Sequence, residues 1–504
     1  MQASASSVYE RMKTDRQPYL DRAYDAAELT IPHLLTRHTT KNAELYTPWQ
    51  SVGADGVNTL SGKLLLGLMP PANPFFRLRM DPKITNELDQ VEGGADVKVL
   101  LERSLSNFEQ TVMNDVNVTG DRTSLVIALK HLLIAGNVAM YMPPKGQMQL
   151  YKLDQYTVLR DRAGNVLRLI IKEEIARGAL PAPIADVAKP NGTLGAQDEP
   201  LSLYTVVERM GDFINVYQEI EDVEVPGSRG NVPVESSPYL ALRWSRIDGE
   251  SYGRGRVEEY QGDIQSLEGL SKALVEGASA ASRLLIQRDP NAQVQAETVE
   301  SAENGDIIDA AQGDLSFLQV NKMQDFSVAS SMADKLEKRI GRAFMVTSSI
   351  QRDAERVTAE EIRQLVSDLE DTLGGAFSIL AQEFQLPYVK RRIAIMQKRG
   401  DLPQLPSDEI TPSIVTGLEA IGRNQELNKA VQWARLGSEV LGPETFASTI
   451  STGRFLAFLG TNLGFVEASD ITKTDGEKQA ENQAQQQQQM LQQLGPALMQ
   501  NRGA

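Results

Sequence analysis

The chain contains no cysteine, so it has neither disulfides nor thiolate chemistry, which fits a reducing compartment. Histidine is nearly as scarce, with only His33, His38 and His131. The first two lie five apart near a helix end and the third sits on an apolar helix. None has a partner at metal-ligand spacing, so all three read as surface or satisfied core histidines. No apolar run reaches the roughly 18 residues that a membrane helix needs. The opening MQASASSVYERMKTDRQPYL is polar and carries no apolar signal region. Basic residues are in deficit, 51 Lys and Arg against 67 Asp and Glu, for a net charge of -16. Affinity for DNA comes chiefly from neutralising phosphates. A tight grip on DNA over a large surface is therefore excluded, whereas loose encirclement is not. No internal repeat is found.

What remains is ordinary folding material: 504 residues, 41% hydrophobic and 23% charged, enough for several domains. Residues 1 to about 135 read as helical. Pro48 opens a pattern of Trp49, Val52, Val57, Leu60, Leu64, Leu65 and Leu68 that stops at Met69-Pro70-Pro71, because proline cannot continue a helix. Val97, Leu101, Leu105, Phe108, Val112 and Val116 mark a second helix. Leu125, Leu129, Leu132 and Leu133 mark a third, closed by Gly136. From Val138 the period becomes two. Thr157 to Lys172, broken at Ala163-Gly164-Asn165, reads as a β-hairpin, and strands recur at 202–209, 213–223 and 239–245 after a long loop at 178–200.

Helix returns at Tyr252 and runs to about Ser282, with Val257, Tyr260, Ile264, Leu267, Leu270 and Leu274 on one stripe. A second helix, from about Phe326 to Phe344, has Val328, Met332, Leu336, Ile340 and Phe344 spaced by four. Between them RLLIQRD, NGDIIDA and LSFLQVN read as short strands and turns, giving an antiparallel helical stalk with a β-leaning cap. A polar loop carrying Arg352 and Arg356 follows, then a capping box of Thr358 and Glu361 at the head of a long helix. A basic loop in that position is how a ring could present charge to something passing through its centre. Gly374-Gly375 predicts a kink and Pro387 a further interruption. Residues 407–465 read as a compact helical piece, and EKQAENQAQQQQQMLQQL near the end is low in complexity.

Two nucleotide motifs fail. Five residues separate Gly56 from Gly62-Lys63 where a phosphate-binding loop has four, and Leu64 stands where Ser or Thr should meet magnesium. Gly253-Arg254-Gly255 lacks the third glycine of a dinucleotide fingerprint and no suitable strand feeds it. Asp368, Glu370 and Asp371 form an acidic cluster of the kind that holds two metals in a nuclease, but on a helix they mostly fall away from the Leu365–Leu369–Leu373 face and read as solvated charge. No nucleophile–base–orienter set exists, so the chain reads as a non-enzyme with no cofactor and no metal.

Seven stretches carry a family resemblance: SVYERMKTDRQPY, YTPWQSVGADGVNTL, IAGNVAMYMP, DGESYGRGRVEEYQGDIQSLEGL, ERVTAEEIR, LEDTLGGAFSILAQEFQLP and TGLEAIGR. From about Ser7 to Gly422 the chain resembles the portal, or head-to-tail connector, proteins of short-tailed, podovirus-type bacteriophages. The resemblance implies an α+β, mostly helical portal fold assembled as a dodecameric ring at one capsid vertex of the virion, built in the host cytoplasm. It implies a wing at 1–250, stem helices at 251–282 and 325–344, a clip at 283–324 and a tunnel loop at 345–357. A long kinked wing helix at 358–405, a crown at 406–465 and a Gln-rich tail at 466–504 complete it. Double-stranded DNA would be packaged through the channel by the terminase and later ejected. The implied partners are the terminase large subunit, the major capsid and scaffolding proteins, a tail adaptor and internal core proteins, with no membrane. Gln351, Arg352 and Arg356 would face the DNA channel, and Arg288, Asp289, Asn304 and Asp306 would lie on the motor- and tail-facing clip. The plain alternative for Arg352 and Arg356 is loop charge paired with Asp353 and Glu355. Two other readings compete, a different phage ring such as a tail adaptor and a carboxylate-metal nuclease.

Overall fold

The structure is a computed structural model that describes residues 4–37, 45–71, 74–90, 94–176, 200–281, 285–292, 294–303, 305–318, 323–346, 368–369, 372–404, 410–414, 430–440, 442, 446 and 455. The fold mixes helix and strand, and the chain divides into two compact units. One comprises residues 1–73 and 114–403, the other residues 74–113 and 404–504.

In the larger unit, helix α1 (Ala5–Glu28) starts on a Ser4 cap, and its Ala5, Val8, Tyr9 and Met12 pack against Ile170, Tyr204 and Val206. Arg16 is buried on the same helix without being orphaned, because one guanidinium nitrogen donates to the Tyr9 hydroxyl and to the carbonyls of Asp154 and Tyr156 at 2.8–3.1 Å. Helix α2 (Val52–Leu68) and helix α5 (Asp121–Ala135) pack together. Val57, Leu60, Leu64 and Leu68 meet Leu125, Leu129, Leu132 and Leu133 in a fully buried layer. Each such side chain contributes about 1.5–3 kcal/mol by leaving water. Gly136 ends α5 at φ +71°, as its position in the sequence predicts.

The strands form antiparallel sheets. β2 (Asn137–Tyr141) lies between β10 (Tyr239–Arg243) and β3 (Gln149–Tyr151). A larger sheet runs β4 (Tyr156–Arg160), β5 (Val166–Ala176), β6 (Pro200–Met210), β7 (Phe213–Ile220) and β8 (Val223–Glu224), with β9 (Gly230–Pro233) also on β7. The hairpin expected at 157–172 is β4–β5. Its turn is held by Asp161, whose carboxylate accepts from the backbone and side chain of Asn165, with Gly164 at φ +94°.

Several expectations need correction. The helix expected from Tyr252 starts only at Arg256, because residues 252–255 are pressed backbone-to-backbone against residues 133–137, and it runs as two pieces, Arg256–Glu259 and Gln261–Ala281, parted at Tyr260. A Cβ on Gly255 would stand 2.5 Å from the Ile134 carbonyl. Pro387 does not interrupt its helix. It sits in the first turn of Leu386–Arg399, directly after a π-helical turn at Ala381–Gln385. That turn places Glu383 between two buried arginines, with its Oε1 accepting from Arg243 at 2.6 Å and lying 3.7 Å from Arg160. Gly374 does break the helix as expected, at φ +49° and ψ -114°.

In the smaller unit, Phe76–Met80 (β1) pairs antiparallel with Ile410–Ile414 (β13), so neither segment is helical as its surroundings suggest. The buried Glu109 carboxylate accepts from the Leu78 amide at 2.8 Å, and burial raises its pKa above the usual range.

Candidate functional site

The features that point to function converge on the helical hairpin and its tip. The outgoing helix, Gln261–Ala281, and the returning helix, Met323–Ala343, pack antiparallel. Two contacts fix their register: an Asp263–Arg339 ion pair near the base, and Gly277 against the Phe326 ring near the tip. Gly277 has a clear reason to be glycine, since a Cβ would overlap that ring.

The base of the hairpin is anchored. Ile264 and Leu267 of the outgoing helix and Leu336, Ile340 and Phe344 of the returning one are buried. Glu268, 7% exposed, accepts from the Tyr46 hydroxyl at 2.6 Å and from the amides of Trp49 and Gln50 at 2.9 and 3.3 Å. That bond to a carboxylate pushes the Tyr46 phenol up to about 12. Outward from Glu268 the burial stops. Val275, Val328 and Met332 are 53%, 72% and 54% exposed, although they continue the apolar stripes of the two helices.

The tip is a two-stranded ribbon, β11 (Leu285–Arg288) paired with β12 (Leu315–Leu318), and a short helix, Ala296–Glu300, that the sequence does not announce. NGDIIDA is not a strand. Asp306 closes a turn by accepting from the Glu303 amide at 2.7 Å, and Ile307 stands 97% exposed. Among the described residues of the tip, Val294 is a buried apolar side chain.

The expected site residues fall out as follows. Arg288 ends β11, opposite Leu315, and is exposed. Asp289 is exposed beside it; its amide donates to the Asp314 carbonyl at 3.0 Å and its carboxylate accepts from Asn291 at 2.8 Å. Asp306 serves its own turn. Asn304, Gln351, Arg352 and Arg356 lie outside the described residues, as do the Thr358–Glu361 cap and Glu370 and Asp371. The carboxylates of Asp289 and Asp306 thus have local turn-forming work. Electrostatically the tip is predominantly acidic, with Arg288 at the end of β11 as an exposed cation. From Asp289 to Asn321 the sequence holds Asp289, Glu297, Glu300, Glu303, Asp306, Asp309 and Asp314 and no Lys, Arg or His, so it favours a cationic surface.

Among the described residues no three His, Asp or Glu side chains gather as a metal site, and no helix is long and apolar enough to cross a membrane. What the arrangement offers is surface: an apolar flank on the stalk and an acidic tip with an exposed isoleucine. Sequence reasoning missed Glu268 and Gly277. An acid inside an apolar stripe, and a lone small residue opposite an aromatic, were the available signals.

Comparison with known proteins gives a consistent result. The family model described as bacteriophage head to tail connecting protein matches residues 2–468, well past the Gly422 limit of the resemblance read from the sequence. The portal protein of Escherichia phage T7 is 40% identical over 488 residues, covering 94% of this chain and 89% of that protein. The portal protein of Enterobacteria phage T3 is 39% identical over the same shares. Among solved structures, a chain of the virion of a native gene transfer agent particle covers 81% of this chain and 89% of its own length. Its TM-score is 0.35 at 11% identity, a distant likeness that supports nothing further.

Proposed function

The chain belongs to the bacteriophage head-to-tail connecting protein family and functions as a portal, and we propose that it does so as a closed twelve-membered ring through which double-stranded DNA enters and leaves the capsid. The observation that carries the proposal is the near-full-length match to portal proteins, read together with a stalk whose apolar stripe is left open at Val275, Val328 and Met332. A neighbouring copy is the natural cover, because cyclic assembly repeats one interface around the ring. In this reading the hairpin is the stem and residues 283–324 are the clip, its acidic tip meeting the terminase large subunit during packaging and a tail adaptor afterwards. Residues 1–250 form the wing that meets the major capsid and scaffolding proteins, and residues 406–465 form the crown beneath internal core proteins. The ring is a passive conduit at the capsid vertex, without catalysis of its own. Its net acidity keeps a polyanion sliding, and Gln351, Arg352 and Arg356 touch phosphates in the channel without reading sequence.

The experiment is capsid assembly with and without the chain, followed by terminase-driven packaging. DNA-filled heads are expected only when the chain is present. Equal filling without it would overturn the proposal. Within the same assay, changing Arg352 and Arg356 to Gln should leave rings intact and alter packaged genome length in a salt-dependent way. Unchanged packaging at every salt concentration would return both residues to ordinary loop charge.

A further inference from the structure

Lys63, the lysine of the failed phosphate-loop motif, has a different place in the fold. The returning stem helix stops in a two-bond cap. The Val346 amide donates to the Gly341 carbonyl at 2.7 Å and the Met345 amide to the Arg342 carbonyl at 3.1 Å. The donor of the second bond, Met345, sits at φ +56°. Glycine usually occupies this left-handed position, because a side chain disfavours it. The stop is therefore not secured by its own backbone preference.

Lys63 supplies what the cap lacks. Its ammonium donates to the Met345 carbonyl at 2.7 Å, and the residue is 7% exposed. A cation at the C-terminal end of a helix also complements the helix dipole. Burial lowers the pKa of Lys63, and the negative charge of Asp368 works against that fall, so the two groups lie within electrostatic reach. Gly56, Lys63 and Gly67 share one face of α2, at intervals of seven and four. A Cβ on Gly56 would stand 2.9 Å from Phe344 Cβ, and one on Gly67 would stand 3.2 Å from Leu369 Cδ1. The same helix face thus meets the chain just before residue 347 and just after residue 367.

We propose that Lys63 is a positioning residue of the portal, whose ammonium fixes the point at which the chain leaves the stem and which, with Asp368, ties both flanks of residues 347–367 to α2. This rests on the reading that residues 345–357 line the DNA channel. The channel arginines then work from a root set by the wing, not from a free helix end.

The test uses full-length rings of the wild type, Lys63→Met, Lys63→Arg and the double variant Lys63→Met with Met345→Gly. Two quantities are read: amide exchange at Met345 and Val346, and the share of filled heads that keep a full-length genome. Lys63→Met should speed exchange about tenfold, as loss of one charged hydrogen bond implies, and should lower retention while ring mass stays the same. Lys63→Arg should hold near wild-type values. Met345→Gly should restore the stop in the double variant, because glycine accepts the left-handed position without a clamp. Unchanged exchange in Lys63→Met would overturn the clamp. Faster exchange with normal retention would reduce Lys63 to a stability element and overturn its positioning role. If Lys63→Met forms no rings, the double variant decides, and failure to recover there overturns the proposal. Wild-type rings that never support filling would instead refute the channel reading, and the exchange measurements would still judge the clamp.

Discussion

Changing Gly253 to Ala should damage the larger unit severely, while the same change at Gly62 should stabilise it. Gly253 lies where one backbone is pressed onto another. Its amide donates to Asn137 Oδ1 and its carbonyl accepts from Asn137 Nδ2, both at 2.7 Å, and Asn137 is 1% exposed. A Cβ would stand 2.6 Å from the Ser245 carbonyl oxygen, 2.9 Å from Arg243 Cβ and 3.0 Å from the Gly136 carbonyl oxygen. Two of these three are backbone atoms, which cannot swing aside as a side-chain tip can. Overpacking of this kind costs about 1–3 kcal/mol. The shift that relieves it would also loosen the two Asn137 bonds, at about 1–3 kcal/mol for each group left unpaired in the interior. The expected loss is about 3–9 kcal/mol. At Gly62, inside α2, a Cβ meets nothing within 4 Å, so Ala should add about 1 kcal/mol of helix stability. Thermal unfolding at one fixed protein concentration should separate the two variants by about 5–13 °C. Exchange protection should fall first in β2 and β10. Midpoints within about 1 kcal/mol of each other would refute the reasoning.

Further outcomes follow from burial. His131 is 3% exposed, with no hydrogen-bond partner for Nδ1, and burial pushes its imidazole down from 6.5 to about 4. The unfolded chain therefore takes up this proton first on acidification. Its contribution is fully present above about pH 6.5 and is lost as pH falls toward 4, about 2 kcal/mol of it between pH 7 and 5. His131→Leu should flatten that part of the stability profile, and an unchanged slope would contradict the assignment. On the helical hairpin, Val275→Thr, Val328→Thr and Met332→Gln together should leave the subunit's fold intact, since all three are exposed. If a neighbour covers them, about 3–5 kcal/mol per interface is lost, and the concentration needed for assembly should rise at least about a hundredfold. Sedimentation that shows assembly at unchanged concentrations would remove the hairpin from the interface.

What was legible in the sequence was local. Alternation and a Gly-Asn turn gave β4–β5, spacing by four gave the returning helix, and Gly374-Gly375 gave the break. What was not legible depended on remote partners. β1 is a strand because β13 lies beside it, more than 300 residues away in the chain, and nothing within FRLRM requires that. NGDIIDA has the composition of a strand, yet the Glu303–Asp306 turn and a nearly fully exposed Ile307 leave it unpaired. The two nucleotide-like motifs had a shared physical cause. Glycine is needed where a neighbour presses on the backbone as much as where phosphate binds: Gly253 and Gly255 lie against backbone carbonyls, and Gly56 lies against the Phe344 side chain. Of the site residues, Arg288, Asp289 and Asp306 lie at the exposed tip of the hairpin, and two of them spend their carboxylates on their own turns. Glu268 passed unremarked beside an apolar stripe and Lys63 was read only as part of a failed phosphate loop; the fold shows what each one holds.

The most direct measurement is electron microscopy of the purified full-length chain, paired with its mass in solution. The expected result is a closed ring with an open central channel, a narrow stem ending in a tip, and a mass of twelve subunits. A single-chain mass at micromolar concentration, with no rings on the grid, would contradict it.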